Sequence, residues 1–280
     1  RSSGGRSSSS LRAKATLRDG SGASSGSQAV LSLDSNDGFV VGASTDRTIK
    51  VWDLKTERLR ASLTGHSNKV HAVKFLSSSS NTLVTGSTDR TLMVFDCRTN
   101  RAVKTLKANS TCNAVDVGSD GGNTVVSGHQ DGSVRLWDLR SGLQVAEASE
   151  AHGNAQVTSV AFSPRGGMQI LSAGRDNALR LLDARTLAPS AGALAGGVTH
   201  SSLRIGYNWS RAAWSPNGSF MLCGSLNGSV LLWDLSSNAQ STSNADGGAA
   251  AAAAAAVRAA ASVGGGGRER GAGGGRGGRR

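Results

Sequence analysis

An alternating strand that closes on Trp-Asp recurs through this chain of 280 residues. The clearest copy is DGSVRLWD at 131–138, a turn followed by a strand of period two. Four further copies align with it, and the five copies end at Asp53, Asp96, Asp138, Asp183 and Asp234. The intervals between these ends are 43, 42, 45 and 51 residues. A repeat of this length with about four strands per unit is typical of β-propeller blades.

The repeated segment, about 11–235, resembles the WD-repeat family. We therefore expect an all-β fold, a WD-repeat β-propeller with five recognisable blades that form an incomplete seven-bladed ring. Residues 11–18 alternate like a strand and would be the outer strand of a blade. The expected repeats are approximately 29–63, 64–106, 107–148, 149–194 and 208–235.

The two ends of the chain differ in composition from the repeats. Residues 1–10 are Ser, Gly and Arg, and residues 236–280 are rich in Ala, Gly and Arg. Neither composition offsets the entropy cost of ordering, so both segments are predicted to be disordered. Two thirds of the net charge of +12 lies in 1–29 and 236–280. The repeats are only mildly basic, which makes nucleic acid an unlikely partner.

Several functional classes find no motif in the sequence. Cys97, Cys112 and Cys223 are far apart and lack metal-ligand spacing, which indicates a reducing, cytoplasmic setting without a metal. There is no phosphate-binding Gly-rich loop and no nucleophile elbow. We therefore expect no catalytic residue, no cofactor and no enzymatic activity. The first residue is Arg, which suggests a fragment.

Three repeats carry parts of a buried hydrogen-bonded tetrad. In the WD-repeat family this set joins a His, a Ser or Thr, an Asp and the Trp, because a buried His and Asp must be paired. The partial tetrads are His66, Thr85 and Asp89; Ser127, Asp131 and Trp137; and His152, Ser172 and Asp176. Phe95 and Leu182 replace Trp in two of them, and the third lacks a preceding His. We interpret these residues as structural, not catalytic, because all fall at repeat positions.

Longer stretches are similar to one branch of the family. They include NSTCNAVDV at 109–117, where most repeats begin with Gly-His, and NWSRAAWSPNGSF at 208–220. Together they resemble the propeller of the autophagy-related protein sixteen family. That resemblance implies a cytoplasmic scaffold, recruited to phagophore assembly site membranes, in a complex that directs the attachment of a ubiquitin-like protein to lipid during autophagosome assembly.

The expected function is binding by loops held on a rigid scaffold. The partners would be proteins or short peptides, including the autophagy ubiquitin-like conjugation complex, with a peripheral contact to anionic membrane. The candidate protein-binding face contains Arg47, Asn68, Lys69, Phe75, Arg90 and Arg175. For Phe75 a core role is the default expectation, and a place in a partner pocket is the alternative.

Two alternative functions remain open. The segment 126–140 ends in Trp-Asp-Leu-Arg, similar to the box with which substrate receptors dock on a cullin-type ubiquitin ligase. The Arg/Gly tail would suit RNA binding, but it has no aromatic residue for stacking.

Overall fold

A computed structural model describes residues 14–18, 29–77, 81–166, 168–190, 196–208 and 210–235. The strands in these residues form five antiparallel sheets, which confirms the predicted all-β propeller. No helix in this part of the chain has the length and apolarity needed to cross a bilayer. The predicted disordered segments, 1–10 and 236–280, lie outside the described residues.

Each sheet is one blade, and strands adjacent in sequence are adjacent in the sheet. The first blade contains β1 (Val30–Ser35), β2 (Phe39–Ser44), β3 (Ile49–Asp53) and β4 (Arg58–Leu63). The second contains β5 (Val70–Phe75), β6 (Thr82–Ser87), β7 (Thr91–Asp96) and β8 (Arg101–Lys107). The third contains β9 (Cys112–Val117), β10 (Thr124–His129), β11 (Val134–Asp138) and β12 (Leu143–Ala148). The fourth contains β13 (Val157–Phe162), β14 (Gln169–Gly174), β15 (Ala178–Asp183) and β16 (Val198–Thr199), and the fifth contains β17 (Ala212–Trp214), β18 (Phe220–Gly224) and β19 (Val230–Asp234).

The core lies between the blades. Middle strands such as β10 are buried on both faces, because each blade packs between two neighbours. Four apolar clusters join the blades in chain order, first to second through fourth to fifth. The first strand of each blade lies innermost, and β1, β5, β9, β13 and β17 pack in that order. The described residues contain no comparable packing between β17 and β1.

The structure differs from the sequence prediction at three places. Residues 14–18 form no strand, although Arg18 O accepts a hydrogen bond from Trp52 Nε1 at 3.3 Å. The outer strand of the fourth blade, β16, lies beyond residue 194, where that repeat was expected to end. Within the described residues the fifth blade has three strands, with β19 at the edge of its sheet.

The innermost strands share a β-bulge near their first residue. The register of each strand with its neighbour shifts there in the first four blades. A bulge inserts one extra residue and redirects a side chain. The bulged residues are Leu31, His71, Asn113 and Thr158.

Candidate binding face and its axial cavity

The second blade holds a closed hydrogen-bonded set around His66. His66 Nδ1 donates to Asp89 Oδ2 at 2.8 Å, and His66 Nε2 accepts from Thr85 Oγ1 at 2.7 Å. Phe95 occupies the place expected for Trp, with its ring centroid 6.1 Å from that of His66. Burial lowers the pKa of His66 although Asp89 opposes this, so the imidazole is neutral. The set is internally paired, which suits a structural role.

The fourth blade has the same arrangement. His152 Nδ1 lies 2.8 Å from Asp176 Oδ1, and its Nε2 lies 2.9 Å from Ser172 Oγ. A guanidinium N of Arg180 also lies 2.7 Å from His152 Nδ1. The His152 side chain is buried. The structure therefore brings together the residues that the sequence placed in the partial tetrads of the second and fourth blades.

The third blade replaces its missing histidine with one from its own second strand. His129, at the end of β10, accepts at Nε2 from Ser127 Oγ at 2.7 Å. Ser127 Oγ in turn accepts from Trp137 Nε1 at 2.8 Å. The sequence pattern did not predict a role for His129, because this residue lies two positions after Ser127 and not ahead of the repeat. Its Nδ1 is buried without a hydrogen-bond partner.

Asp131 is not part of this buried set. Its Oδ1 accepts from the backbone N and Oγ of Ser133 at 3.0 and 2.6 Å, and its Oδ2 accepts from an Arg135 guanidinium N at 2.8 Å. Burial alone would raise its pKa, but the bonds from Ser133 and Arg135 lower the pKa of Asp131 to about 2. Asp131 therefore stabilises the turn between β10 and β11 as a carboxylate.

One end of the propeller is built from the turns that follow each second strand. In each blade the backbone N of one turn residue donates to a carbonyl in the segment that leads into the innermost strand. The donors are Thr45, Thr88, Gln130, Arg175 and Leu226, at 2.9 to 3.0 Å. These bonds hold each of these turn residues beside the segment that leads toward the axis. We call this end the loop face.

A cavity of about 400 Å³ opens near the axis at the loop face. We call it the axial cavity. Three bulged residues contribute to it, because the bulges redirect their side chains. Its lining residues are Leu31, Thr45, Lys69, His71, Asn113, Arg175, Gly206, Tyr207, Asn208 and Arg211.

The lining of the axial cavity is cationic. Lys69, Arg175 and Arg211 all line it, and none of its lining residues is Asp or Glu. Arg211 donates to Thr158 O at 2.7 Å and also lines a second cavity of about 460 Å³ among the innermost strands. His71 Nε2 lies 2.8 Å from Thr88 Oγ1. Burial, Lys69 and Arg211 together lower the pKa of His71.

Lys74, near the far end of β5, lies between two carboxylates that neutralise its charge. Lys74 lies 3.4 Å from Asp34 Oδ1 and 3.9 Å from Asp116 Oδ1. The two carboxylates also join blades, because Asp34 Oδ2 accepts from Phe75 N at 2.8 Å and Asp116 Oδ2 accepts from Phe162 N at 2.7 Å.

Phe75 is not part of the loop face. It is 6 % exposed, ends β5, and packs in the cluster between the first and second blades. Lys69 precedes β5, so the length of that strand separates the two residues. The core role that was the default expectation for Phe75 is confirmed. Its place among the binding-face candidates was wrong, because its ring is buried between the first and second blades.

The remaining candidates divide into two groups. Asn68 and Lys69 are exposed beside the start of β5, and Arg175 is exposed in the turn after β14. Arg47 and Arg90 are also exposed, but they occupy a later turn position with φ of 72° and 67° and do not line the axial cavity. The sequence grouped the three arginines together, whereas the structure places only Arg175 at the cavity.

The residues of the ligase-docking alternative lie at the other end. Arg140 is exposed in the turn between β11 and β12, where its Nε donates to Asn123 Oδ1 at 3.2 Å. This position does not overlap the loop face. The docking hypothesis itself stays a prediction.

Comparison with known families identifies the repeats. The model of "WD domain, G-beta repeat" matches residues 18–53, 57–96, 100–138, 145–183 and 202–234. Among solved structures, the chain is similar to the WD40 β-propeller domain of Doa1, with a TM-score of 0.61 and 24 % identity. That match covers 72 % of this chain and 62 % of the other.

Three relatives are similar over most of the repeats. "Autophagy-related protein 16" from Arabidopsis thaliana is 38 % identical and covers 70 % of this chain and 37 % of its own length. "Protein tipD" from Dictyostelium discoideum is 36 % identical, and the match covers 74 % of this chain and 32 % of that protein. "Autophagic-related protein 16.2" from Caenorhabditis elegans is 33 % identical, and the match covers 73 % of this chain and 36 % of that protein. The chain thus spans about a third of the length of these relatives.

Proposed function

The chain belongs to the WD domain, G-beta repeat family, and from that membership we propose that it is a non-catalytic protein-interaction scaffold. We infer that it is the WD-repeat part of an autophagy complex that directs ubiquitin-like protein lipidation. Its similarity to the autophagy-related relatives from Arabidopsis thaliana and Caenorhabditis elegans supports this assignment. Its place of action would be the cytoplasmic surface of the membranes on which autophagosomes assemble.

The cationic loop face is the observation that carries the binding role. Lys69 and Arg175 lie on a scaffold whose blades are joined by apolar clusters, so their positions are fixed before a partner arrives. Neither side chain forms an ion pair with a carboxylate among the described residues. Both are therefore available to acidic segments of a partner, and complementary charge favours fast and selective association.

Charge reversal at the loop face tests the proposal. We would co-precipitate the full chain with the ubiquitin-like conjugation complex from starved cells, and compare it with the variant Lys69→Glu/Arg175→Glu. The matched control is Arg98→Glu/Arg185→Glu, which makes the same charge change in exposed turns at the opposite end.

We expect the loop-face variant to lose the complex and the control to retain it. Capture that is equal in all three proteins would contradict the loop face as the binding site. Failure of the unmodified chain to capture the complex would contradict the autophagy assignment. Recovery of a ligase adaptor that depends on Arg140 would favour the docking alternative.

A further inference from the structure

We propose that the axial cavity binds a small polyol phosphate, with its phosphate groups on Lys69, Arg175 and Arg211 and its hydroxyl groups on Asn113 and Asn208. This small-molecule site shares Lys69 and Arg175 with the proposed protein-binding role of the loop face and adds Arg211, Asn113 and Asn208. It does not depend on the autophagy assignment.

The charge of the cavity favours a multiply charged anion. Lys69, Arg175 and Arg211 all line one volume whose lining contains no carboxylate. Opposite charges in such a cleft interact more strongly than at an open surface, because low-dielectric walls focus the field. Lys and Arg are the side chains that bind phosphate oxygens in proteins.

The buried amides select a ligand that also donates hydrogen bonds. Asn113 is 2 % exposed, and its Nδ2 donates to Val157 O at 3.1 Å, which fixes the orientation of the amide. Its Oδ1 then has no hydrogen-bond partner, and neither has the buried Oδ1 of Asn208. Both residues line the cavity. A buried hydrogen-bond acceptor needs a donor. Inorganic phosphate has few O–H groups that can donate, whereas a polyol has several hydroxyl donors.

His71 lies beside the cationic groups of the cavity. His71 lines the cavity, and after burial the charges of Lys69 and Arg211 lower its pKa. A polyanion at the same place would oppose those charges. The His71 imidazole therefore reports on occupancy of the cavity, separately from the strength of binding.

The size of the cavity admits such a ligand. Its volume of about 400 Å³ falls within the range of about 300 to 1,000 Å³ that is usual for small-molecule sites. Arg211 lies where the axial cavity meets the second cavity among the innermost strands. A ligand with phosphates on more than one side of a ring could contact Arg211 below and Arg175 at the rim.

Calorimetry with the full chain tests the proposal. The probes are inorganic phosphate, a myo-inositol trisphosphate, which keeps three free hydroxyl groups, and vesicles that contain either a phosphoinositide or phosphatidylserine at equal charge. The test variant is Lys69→Gln/Arg175→Gln, because both residues are exposed and their loss should not impair folding. The control is Arg98→Gln/Arg185→Gln at the opposite end.

We expect the inositol phosphate to bind the unmodified chain and the control equally, and the test variant at least tenfold more weakly. We also expect the ligand to raise the pKa of His71 in an NMR titration. Binding to phosphoinositide vesicles as well would identify a lipid headgroup as the source, whereas binding of the soluble compound alone would identify a free metabolite.

Four results would overturn the proposal. They are no binding of the inositol phosphate, equal binding by the test variant, equal affinity for inorganic phosphate, and equal binding to phosphatidylserine vesicles. Failure of the unmodified chain to capture the conjugation complex would have no bearing on its binding of the inositol phosphate. The two proposals therefore fail separately.

Discussion

At the scale of single residues, the third blade shows how one side chain takes over the place of another. Ser127 lies between Trp137 and His129 in a continuous row of hydrogen bonds. In the second and fourth blades the His partner comes from outside the sheet, through His66 and His152. The buried hydroxyl is thus paired in all three blades, although the histidine has two different origins in the sequence.

Substitution of Asp131 tests the turn after β10. Asp131→Ala would leave Ser133 N and an Arg135 N–H without their acceptor, at a cost of about 1 to 3 kcal/mol. For a domain of this size that corresponds to a fall in Tm of about 2–4 °C per kcal/mol. The fall in Tm is measured by thermal unfolding, monitored by circular dichroism. Asp37→Ala, an exposed turn residue in the first blade, is the control, and an equal Tm for the two variants would contradict the role of Asp131.

The pH dependence of stability tests His129. Burial and then Arg135 lower the pKa of His129 to about 4, below its ordinary value of 6.5. The unfolded chain therefore takes up a proton before the folded chain does, and stability falls as pH drops from 6.5 to 4. The loss from this one residue is up to about 3 kcal/mol. Urea unfolding at several pH values should show a shallower loss for His129→Gln, and an unchanged slope would contradict the buried neutral imidazole.

The sequence predicted most of the tetrad residues, because they recur at fixed offsets from Trp-Asp. It could not predict His129, since that residue has no counterpart in the other repeats and acts only through the fold of β10. Phe75 was misassigned for a related reason. Its position in the repeat was visible, but the burial of its ring depends on packing against the first blade.

At the scale of elements, the turns after the second strands share one strained position. Arg47, Arg90 and Asn177 adopt positive φ there, and Gly132 and Gly228 occupy the same place with φ of 84° and 81°. A left-handed backbone costs a residue with Cβ about 1–2 kcal/mol, whereas glycine adopts it freely. Glycine is obligatory in the third blade, because a Cβ on Gly132 would collide with Gly153 O.

Replacement of the arginine in this position should stabilise the second blade. Arg90→Gly relieves the strain, offset by the larger entropy of glycine in the unfolded chain, for a net gain of up to about 1 kcal/mol. Chemical denaturation measures the gain. The reciprocal change Gly132→Ala should destabilise, and a loss of stability in both variants would contradict the strain argument.

The bulges are the element that the sequence did not reveal. Period-two alternation predicted the strand that closes on Trp-Asp, but it gives no signal for one extra residue at the start of an innermost strand. That residue decides which side chains enter the axial cavity. Consequently the sequence identified Lys69 and Arg175, which lie in loops, and missed His71 and Asn113, which lie on bulges.

At the scale of the whole molecule, the fifth blade is the least supported. It contains three strands, its edge strand β19 exposes Val230 to 65 %, and it shares an apolar cluster only with the fourth blade among the described residues. β6 and β7, by contrast, lie in a four-stranded sheet between two such clusters. Repeat arrays owe their stability to interfaces between neighbours, so a blade with one interface opens at a lower free energy.

Native-state hydrogen exchange measures this difference directly. We expect the amides of β18 to exchange at least tenfold faster than those of β6, although both are middle strands with partners on each side. The first blade, which also has one interface, should be intermediate because its sheet has four strands. If β18 and β6 were equally protected, the blades would unfold as one cooperative unit. The ring would then have to be closed by packing between the fifth and first blades as strong as that between the others.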